Sequence, residues 1–340
     1  MVDNKMKITM EEVAKRAGVS KTTVSRIING NYEYVNETTK EKVLKVINEL
    51  NYKPNALAKS LKQVKTNVIG IVLSNLQNPF WSQVLEGAED ICRNSGYNLM
   101  ICNSNDDPKL EEEFIEDLKS KQVDGIIVNP TMKNKSLYQQ LVDNKYPMVA
   151  INRKIEGIHI NTITVDNVKG SMLAVQRLID VGRKSIALII YPPNGISPRL
   201  ERIEGYKAAL TNNGIEIDKT LIKIIDERKG SVKETVHDLL NQKHRPDAIF
   251  STNNMMTLEI LEGLKELNIK VPEDLSLIGY DETVWAKHLA PPLTTVNQPS
   301  YQMGERAAMN LIELLKKKGD NEVEITLLQP NLIIRESCAK

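Results

Sequence analysis

The stretch from Ile8 to Asn29, ITMEEVAKRAGVSKTTVSRIIN, limits the fold of this chain more than any other. Thr9 is predicted to cap a first short helix, and Glu12, three residues later, completes a capping box. Gly18 ends that helix, because glycine enters the left-handed region without a steric penalty. Ser20 caps a second helix, and apolar residues recur at three- and four-residue spacing in both. Two short amphipathic helices joined by a glycine turn form the helix-turn-helix pattern.

The polar positions of the second helix carry the chemistry of this motif. Lys21, Thr22, Ser25 and Arg26 lie off the apolar stripe, near the start of the helix. Side chains there reach base edges in a major groove, and an arginine can bridge O6 and N7 of guanine. The alternative reading is a solvated helical hairpin with no nucleic-acid role.

Charge is distributed unevenly along the 340 residues. Residues 1–65 hold 13 Lys and Arg against 7 Asp and Glu, whereas the remainder holds 32 against 37. A basic head on a mildly acidic body is typical of a protein that binds a polyanion through its head, although a charge excess is more often a solvated surface.

The head is predicted to contain a third helix, capped by Asn36. Pro54 stops it, because proline disfavours helical geometry in the residue before it. The next segment, Ala56–Lys62, has the pattern of a helix of two turns. A helix that short is marginal in water, so it should form only when something packs against it.

Cysteines and apolar segments indicate the compartment. Cys92, Cys102 and Cys338 are an odd number without metal-ligand spacing, which favours reduced thiols and no metal site. The N-terminus lacks an apolar signal core, and no segment approaches the ~20 apolar residues that span a bilayer. We therefore expect a cytoplasmic protein without a membrane partner.

From Val68 onwards the sequence alternates between strand and helix patterns. Val68–Leu73 is a continuous β-rich run suited to a strand buried on both faces. Such alternation predicts a doubly wound α/β body, and its length exceeds one sheet. Thr162–Val165 is interpreted as the crossover into a second lobe, with a return near Pro291–Val296. Two lobes with a cleft between them form the periplasmic-binding-protein architecture.

Ordered motifs along nearly the whole chain resemble the lactose-repressor/galactose-repressor (LacI/GalR) family. The motifs are VAxxAGVSxxTVSR and NYxPNxxAxSL in the head, GIVLSNLQNPF at 70–80, SLIGYDET at 276–283, PPLTTV at 291–296 and LIIRES at 332–337. One departure is a loop between Asn29 and Val35 that is one residue longer than usual and carries two tyrosines.

The resemblance implies a homodimer that binds double-stranded operator DNA. It places Leu57 and Leu61 in paired hinge helices, with Leu61 wedged into a minor-groove step to kink the DNA. The alternative for Leu61 is a linker leucine resting on the body. The predicted DNA contacts are Thr9, Lys21, Thr22, Thr23, Ser25, Arg26, Asn29, Tyr52, Asn55, Ala58, Leu61 and Lys62.

Ligands of open α/β sheets sit beyond the carboxyl ends of the strands, and polar residues follow several predicted strands. By motif, the family's sugar-binding roles fall on Asn152, Arg202, Asn253 and Asp281, with Phe80 or Trp81 as an aromatic wall. The full predicted effector set is Asn75, Phe80, Trp81, Asn152, Arg153, Arg202, Asn253 and Asp281.

Local structural roles compete with these assignments: Asp281 as a helix cap, Asn253 as a turn former and Phe80 as core. Arg153 and Arg199 add positive charge, and an inward-pointing arginine would favour an acidic sugar. The head and the tyrosine-bearing loop are most similar to regulators of hexuronate and 2-keto-3-deoxygluconate use, so such a sugar acid is a candidate effector.

The predicted fold is a helix-turn-helix head (1–53), a hinge helix (54–65) and a body of two lobes. The N-terminal lobe takes 66–162 plus 294–323, and the C-terminal lobe 163–293 plus 324–340. The sequence lacks GxSxG and GxxxxGK[ST], and its histidines are scattered, so we expect no enzyme activity and no cofactor.

The predicted function is a sequence-specific transcriptional repressor controlled by a small sugar or sugar acid bound between the lobes. One alternative is a global carbon-catabolite regulator that a phosphocarrier protein activates. A sugar-binding receptor for uptake is another, although it would need a signal peptide and would have no use for a basic head.

Overall fold

The computed structural model describes residues 8–28, 30–32, 35–50, 52, 65–316 and 322–338. The chain divides into two compact units, a head (Met1–Thr66) and a body (Asn67–Lys340). The predicted hinge segment 54–65 lies outside the described residues apart from Lys65, as do the predicted contacts Asn29, Asn55, Ala58, Leu61 and Lys62.

The described head consists of helices α1 (Met10–Ala17), α2 (Lys21–Ile28) and α3 (Glu37–Glu49). The predicted caps are confirmed. Thr9 Oγ1 accepts a hydrogen bond from Glu12 N at 3.3 Å, and Gly18 ends α1 with φ at 66°. Ser20 Oγ accepts from Thr23 N at 3.1 Å, and Asn36 Oδ1 accepts from Thr39 N at 2.8 Å. These bonds satisfy amides that the helices cannot satisfy themselves.

The apolar faces of the three head helices meet in one small core. Its buried members are Val13, Ala14, Ala17, Val24, Ile27, Val43 and Val46. The helical spacing of these residues is what the sequence predicted. A core of this size leaves the polar face of α2 on the surface.

The body contains two sheets, one in each lobe. The N-terminal lobe holds strands β1 (Val68–Leu73), β2 (Asn98–Asn103), β3 (Gly125–Val128), β4 (Met148–Ile151), β5 (Thr162–Val165) and β11 (Ile325–Leu328). The C-terminal lobe holds β6 (Ile186–Ile190), β7 (Ile222–Ile224), β8 (Ala248–Ser251), β9 (Ser276–Tyr280), β10 (Thr294–Asn297) and β12 (Asn331–Ile333).

Helices cover both faces of each sheet. They are α4 (Pro79–Asn94), α5 (Pro108–Ser120), α6 (Lys135–Asp143), α7 (Asn167–Asp180), α8 (Ser197–Asn212), α9 (Ser231–Leu240), α10 (Asn254–Glu266) and α11 (Ser300–Lys316). Short 3₁₀ turns span Lys219–Leu221, Ala286–His288 and Glu336–Cys338. Strands buried on both faces explain the continuous apolar runs in the sequence.

The two sheets have equivalent topologies. The N-terminal lobe has the order β2-β1-β3-β4-β5-β11, with parallel pairs throughout. The C-terminal lobe has β7-β6-β8-β9-β10-β12, with β12 antiparallel. In both, the strand order reverses beside the first strand, and such a switch point opens a crevice at the carboxyl ends of the strands.

The sheets correct the three predicted lobe boundaries. Thr162–Val165 is β5 of the N-terminal lobe, so the first crossover follows it at Asp166 rather than at 162/163. Strand β10 belongs to the C-terminal lobe, so the chain returns after Asn297 rather than at 293/294. Strand β11 extends the N-terminal lobe to Leu328 rather than 323. Each correction rests on strand pairing, which the local pattern does not encode.

The predicted alternation of strands and helices is confirmed, and β1 has the predicted bounds Val68–Leu73. Helix α4 begins at Pro79, because Asn78 caps it and the proline occupies its first position. The short edge strands β11 and β12 were not predicted.

Candidate functional site

A cavity of about 820 Å³ lies between the two lobes of the body. Its walls are the loops that follow the carboxyl ends of strands in both sheets, as expected at two facing switch points. All eight predicted effector residues line it: Asn75, Phe80, Trp81, Asn152, Arg153, Arg202, Asn253 and Asp281. We call this cavity the cleft. The structure therefore brings the predicted set together, whereas a role in binding stays a prediction.

Arg202 is held by several contacts in the C-terminal wall. Its Nη1 donates to the carbonyl of Thr252 at 2.6 Å, and its Nε donates to Asn167 Oδ1 at 3.1 Å. The guanidinium carbon lies 3.7 Å from the centroid of the Tyr280 ring, a cation–π arrangement. These contacts hold a buried cation in one orientation beside the cleft.

Asp281 follows β9 in a left-handed conformation, with φ at 74°. It is buried, and Gln298 Nε2 donates to its carboxylate. Burial raises the pKa of Asp281, while Arg202 and hydrogen bonds from Gln298, Asn78 and the Asn254 backbone oppose the rise. The alternative role of Asp281 as a helix cap is wrong, because the residue precedes no helix.

Asn253 caps α10, a local role that differs from the turn former given as its alternative. Its Oδ1 accepts from Met255 N at 2.9 Å and from Met256 N at 3.3 Å. The residue still lines the cleft. With Oδ1 engaged by the helix, the Asn253 amide nitrogen is the group that remains for a ligand.

The N-terminal wall contributes an aromatic pair. Phe80 and Trp81 lie in the first turn of α4, with ring centroids 4.9 Å apart and planes at 77°. Both are largely buried, Phe80 at 7% exposed, so each also serves the lobe core, which was the alternative role of Phe80. Their position is fixed by Asn78, whose Oδ1 caps the helix and also accepts from Asn254 of the other lobe at 2.9 Å.

Asn152 and Arg153 leave β4 through a strained turn. Asn152 has φ at 64°, and Arg153 N donates to the Ile151 carbonyl at 2.7 Å, which closes a γ-turn. The Arg153 guanidinium binds both carboxylate oxygens of Asp106, at 2.5 and 3.0 Å, and the carbonyl of Pro130 at 3.1 Å. Strain of this kind is typical of functional positions.

Arg199 also faces the cleft, from α8. Its Nη2 lies 2.7 Å from Glu227 Oε1, and its guanidinium carbon lies 5.6 Å from the centroid of the Tyr191 ring. Burial lowers the pKa of Arg199, Glu227 counteracts this, and the positive charge of Arg153 adds to the lowering. Two guanidinium groups, one from each lobe, are therefore within electrostatic range, and each has a carboxylate partner.

Some polar atoms of the cleft wall are buried without a hydrogen-bond partner among the described residues. They are Asn152 Oδ1, Arg153 Nε and Gln298 Oε1. A buried polar group without a partner costs about 1–3 kcal/mol, so such groups are rare unless a ligand or solvent engages them. This pattern is typical of a polar binding site.

Sequence reasoning missed several cleft residues, including Asn78, Asp106, Glu227 and Gln298. Asp106 follows β2, so the strand-end rule applied to other strands would have found it. Asn78 precedes a proline at the start of a helix, which is a capping signal. Gln298 follows β10, and its contact with Asp281 depends on the pairing of β10 with β9.

The exposed face of α2 is a candidate nucleic-acid interface. Lys21, Thr22 and Arg26 are exposed, and Thr23 and Ser25 are half-buried. Lys21 Nζ lies 3.9 Å from Glu11 Oε2, a long and exposed ion pair that DNA phosphates would readily displace.

Two further predicted DNA contacts also have local roles in the head. Thr9 caps α1 through its hydroxyl oxygen and can still donate the hydroxyl proton. Tyr52 packs against the head core.

Comparison with known proteins decides the family. The model for "Bacterial regulatory proteins, lacI family" matches residues 9–55, and that for "Periplasmic binding protein-like domain" matches 175–338. EndR of Paenibacillus polymyxa, named as a probable HTH-type transcriptional regulator, is 37% identical over 98% of this chain and 99% of its own length. The chain belongs to the LacI family.

Solved structures of LacI-family proteins agree over almost the full length. The Lac repressor dimer bound to operator and the anti-inducer ONPF matches with a TM-score of 0.87 and 26% identity, covering 98% of this chain and 99% of that one. The CelR–cellobiose complex matches with a TM-score of 0.73 and 31% identity, covering 97% and 99%. The family consists of DNA-binding transcriptional regulators rather than enzymes.

Within the described residues, no helix is long and apolar enough to cross a membrane. The same part of the chain holds no group of three or more His, Cys, Asp or Glu that could bind a metal ion.

Proposed function

We propose that this LacI-family protein is a homodimeric transcriptional repressor whose affinity for operator DNA is controlled by a small carbohydrate bound in the cleft. Each α2 would enter a major groove, where Lys21, Thr22, Ser25 and Arg26 would contact phosphates and bases. The ligand would shift the arrangement of the two lobes and thereby weaken operator binding, by no more than its differential affinity for the two states.

The composition of the cleft wall carries the carbohydrate assignment. Buried amide, carboxylate and guanidinium groups are mixed with the rings of Phe80 and Trp81. Hydroxyls can donate to Asn152 Oδ1 and Gln298 Oε1 and accept from Arg153 Nε, which would satisfy the partnerless atoms. An aromatic face suits the C–H side of a sugar ring. The cellobiose bound to CelR, a relative of similar fold, supports the same class of ligand.

The effector we favour within this class is a sugar acid such as 2-keto-3-deoxygluconate. Arg153 and Arg199 reach the cleft from opposite lobes, close enough for each charge to affect the other. The Asp106 and Glu227 carboxylates neutralise them, so a ligand carboxylate would have to compete with these two groups. A carboxylate between the two guanidinium groups would receive charge-assisted hydrogen bonds from both lobes and so favour closure.

A ligand screen followed by a DNA-binding assay tests this proposal. Thermal shift would compare two pairs of a neutral and an acidic sugar, galactose with galacturonate and glucose with gluconate. The same assay would test 2-keto-3-deoxygluconate. A ligand at 100 times its Kd adds about 2.7 kcal/mol to stability, which raises the melting temperature by several degrees. The operator would be selected from a random duplex library and its affinity measured by fluorescence anisotropy.

We expect an acidic sugar to stabilise the protein more than its neutral partner and to weaken operator binding. Asp281→Ala should keep DNA binding and lose the response. Equal stabilisation by both members of each pair would eliminate the sugar-acid assignment, and an operator affinity unaffected by any stabilising sugar would eliminate carbohydrate control.

A further inference from the structure

Asn167 occupies a position that the sugar-binding assignments do not use. It is the first residue of α7, directly after the crossover from β5 into the C-terminal lobe, and it is fully buried. Its side-chain amide makes four hydrogen bonds. A buried amide bonded at both its oxygen and its nitrogen is held in one orientation and can orient others.

The oxygen of Asn167 faces the cleft network. Oδ1 accepts from Arg202 Nε at 3.1 Å and from the Tyr280 hydroxyl at 3.2 Å. Arg202 also stacks over the ring of the same tyrosine. Asn167 therefore holds both the Arg202 Nε and the hydroxyl of the tyrosine against which Arg202 stacks. These two contacts together determine where the Arg202 guanidinium points.

The nitrogen of Asn167 faces the junction between the lobes. Nδ2 donates to the carbonyl of Val165, the last residue of β5, at 2.9 Å, and to Glu201 Oε2 at 3.0 Å. The first bond ties the side chain to the crossover itself. The second ties it to a carboxylate that reaches the other lobe.

Glu201 and Ser197 of α8 hold Lys154 of the N-terminal lobe. Lys154 Nζ donates to Glu201 Oε1 at 2.7 Å, and Lys154 N donates to Ser197 Oγ at 2.9 Å. Glu201 is largely buried, with 17% of its side chain exposed, so the ion pair is screened less than a surface pair. Both contacts exist only while the lobes are close together.

We propose that Asn167 is a positioning residue that, together with Glu201, makes the orientation of Arg202 depend on the approach of Lys154 from the opposite lobe. Lobe closure and preparation of the arginine then become one event, through the chain Lys154–Glu201–Asn167–Arg202. This inference rests on the proposed function in one respect, the assignment of Arg202 to effector contact.

The physical reason is competition for a cation. When the lobes separate, Glu201 loses the cation that pairs with it and keeps only its hydrogen bond from the neutral Asn167 amide. The guanidinium of Arg202, bonded to the same amide, is a cation within its reach. Glu201 would draw Arg202 away from the Thr252 carbonyl, so the open state holds the arginine in a different position from the closed state.

The test uses the full-length protein with neither sugar nor DNA, so its result is independent of whether the proposed effector class is correct. The Nε–H of arginine side chains would be observed by ¹H–¹⁵N NMR, and the Arg202 signal identified by its loss in Arg202→Lys. Burial and the bond to Asn167 predict a slowly exchanging, resolved signal. The absence of such a signal in the wild type would overturn the proposal.

Lys154 is the first of the four residues in the proposed series of contacts, and Lys154→Met removes its ion pair to Glu201. The substitution should change the chemical shift of the Arg202 Nε–H signal several-fold more than Lys121→Met does. Lys121, at the C-terminal end of α5, forms an exposed ion pair with Asp117 within the N-terminal lobe, so it controls for loss of a lysine. Lys154→Arg keeps the ion pair and should restore the signal. An Arg202 signal that stays in place in Lys154→Met, or that moves equally in Lys154→Arg, contradicts the coupling.

Glu201→Gln and Asn167→Asp probe the middle of the chain. Glu201→Gln weakens the attraction to Lys154 and removes the competing charge, so its displacement should be smaller than that of Lys154→Met. Asn167→Asp keeps the acceptor for Arg202 but replaces the donor to Glu201 with a repelling oxygen. In the Asn167→Asp background we expect Lys154→Met to cause no further change in the Arg202 chemical shift. If the shift changes of the two single variants add fully in the double variant, the proposed coupling is wrong.

Discussion

The two walls of the cleft differ in how completely their own lobes satisfy them. Among the predicted effector residues of the C-terminal wall, Arg202, Asp281 and Asn253 each have protein partners, and the partnerless atom on this side, Gln298 Oε1, belongs to the crossover after β10. On the N-terminal wall, Asn152 Oδ1 and Arg153 Nε are buried without a partner among the described residues. The protein itself holds the predicted effector residues of the C-terminal wall in position. The partnerless atoms of the N-terminal wall have hydrogen-bonding capacity that a ligand can use.

Because of this difference, we expect substitutions on the two walls to affect effector affinity and folding stability in different proportions. A preorganised wall lowers the entropic cost of binding, but its residues also hold the fold, so changing them affects both properties. A wall with unsatisfied groups contributes little to the fold and reserves its hydrogen bonds for the ligand. Substitutions on the two walls should therefore have different signatures, and three of them test this comparison.

The largest effect is expected for Arg202→Ala. The substitution leaves Asp281 without its neighbouring cation and the Thr252 carbonyl without its donor. Removing the hydrogen-bond partner of a buried group costs about 1–3 kcal/mol, and Arg202 serves both Thr252 and Asn167, so we expect a loss of unfolding free energy of about 3 kcal/mol together with loss of effector binding. Urea denaturation and calorimetric titration measure the two. Arg228→Ala, which removes an exposed ion pair to Glu234, is the control and should change neither.

Asn152→Gly should produce the opposite combination. Glycine relieves the left-handed turn at φ 64° and removes an unsatisfied buried oxygen, while its own flexibility costs about 0.5–1 kcal/mol. We expect the unfolding free energy to change by less than about 1 kcal/mol and effector affinity to fall by about tenfold, the value of one lost hydrogen bond to a buried group. Destabilisation comparable to that of Arg202→Ala would remove the distinction between the walls.

The smallest effect concerns pH. Burial raises the pKa of Asp281 above its usual value of 3.8, so in the unfolded chain this carboxyl loses its proton at lower pH than in the folded protein. Its contribution to stability is complete below about pH 4 and is lost as the pH rises through the folded pKa. Relative to Asp281→Asn, which also tolerates φ at 74°, the wild type should lose unfolding free energy over this window.

Denaturant titrations of both proteins at a series of pH values measure the difference. Glu111, whose pKa burial also raises, is present in both proteins and cancels. A difference that stays constant or grows in favour of the wild type with rising pH would mean that other charges, rather than burial, control Asp281.

The head shows which structural features can be predicted from residues close together in the sequence. Thr9, Gly18 and Asn36 are confirmed as caps, because each acts on amides or carbonyls within four residues of itself. The apolar stripes likewise require only helical periodicity. The DNA contacts proposed on α2 follow from the same pattern, since residues off the stripe must face outward.

The cleft shows which features cannot be predicted in this way. Strand ends together with the motifs shared with the LacI/GalR family identified the eight lining residues, because the carboxyl edge of a parallel sheet is a property of the pattern. The partners of those residues were not predictable: Asp106 for Arg153, Glu227 for Arg199 and Asn167 for Arg202 lie 47, 28 and 35 positions away along the chain. The sequence therefore indicated the positive charge of Arg153 and Arg199 but not the carboxylates that pair with them.

The sequence by itself determined the helix-turn-helix head, the alternation of strands and helices, and which residue types stand at the strand ends. Each depends on interactions between residues close together in the chain. The tertiary structure decided the lobe boundaries, the neutralisation of Arg153 and Arg199, and the connection of Arg202 to Lys154 through Asn167. These depend on which strands pair and on how two lobes meet, and such long-range contacts leave no periodic trace in the sequence.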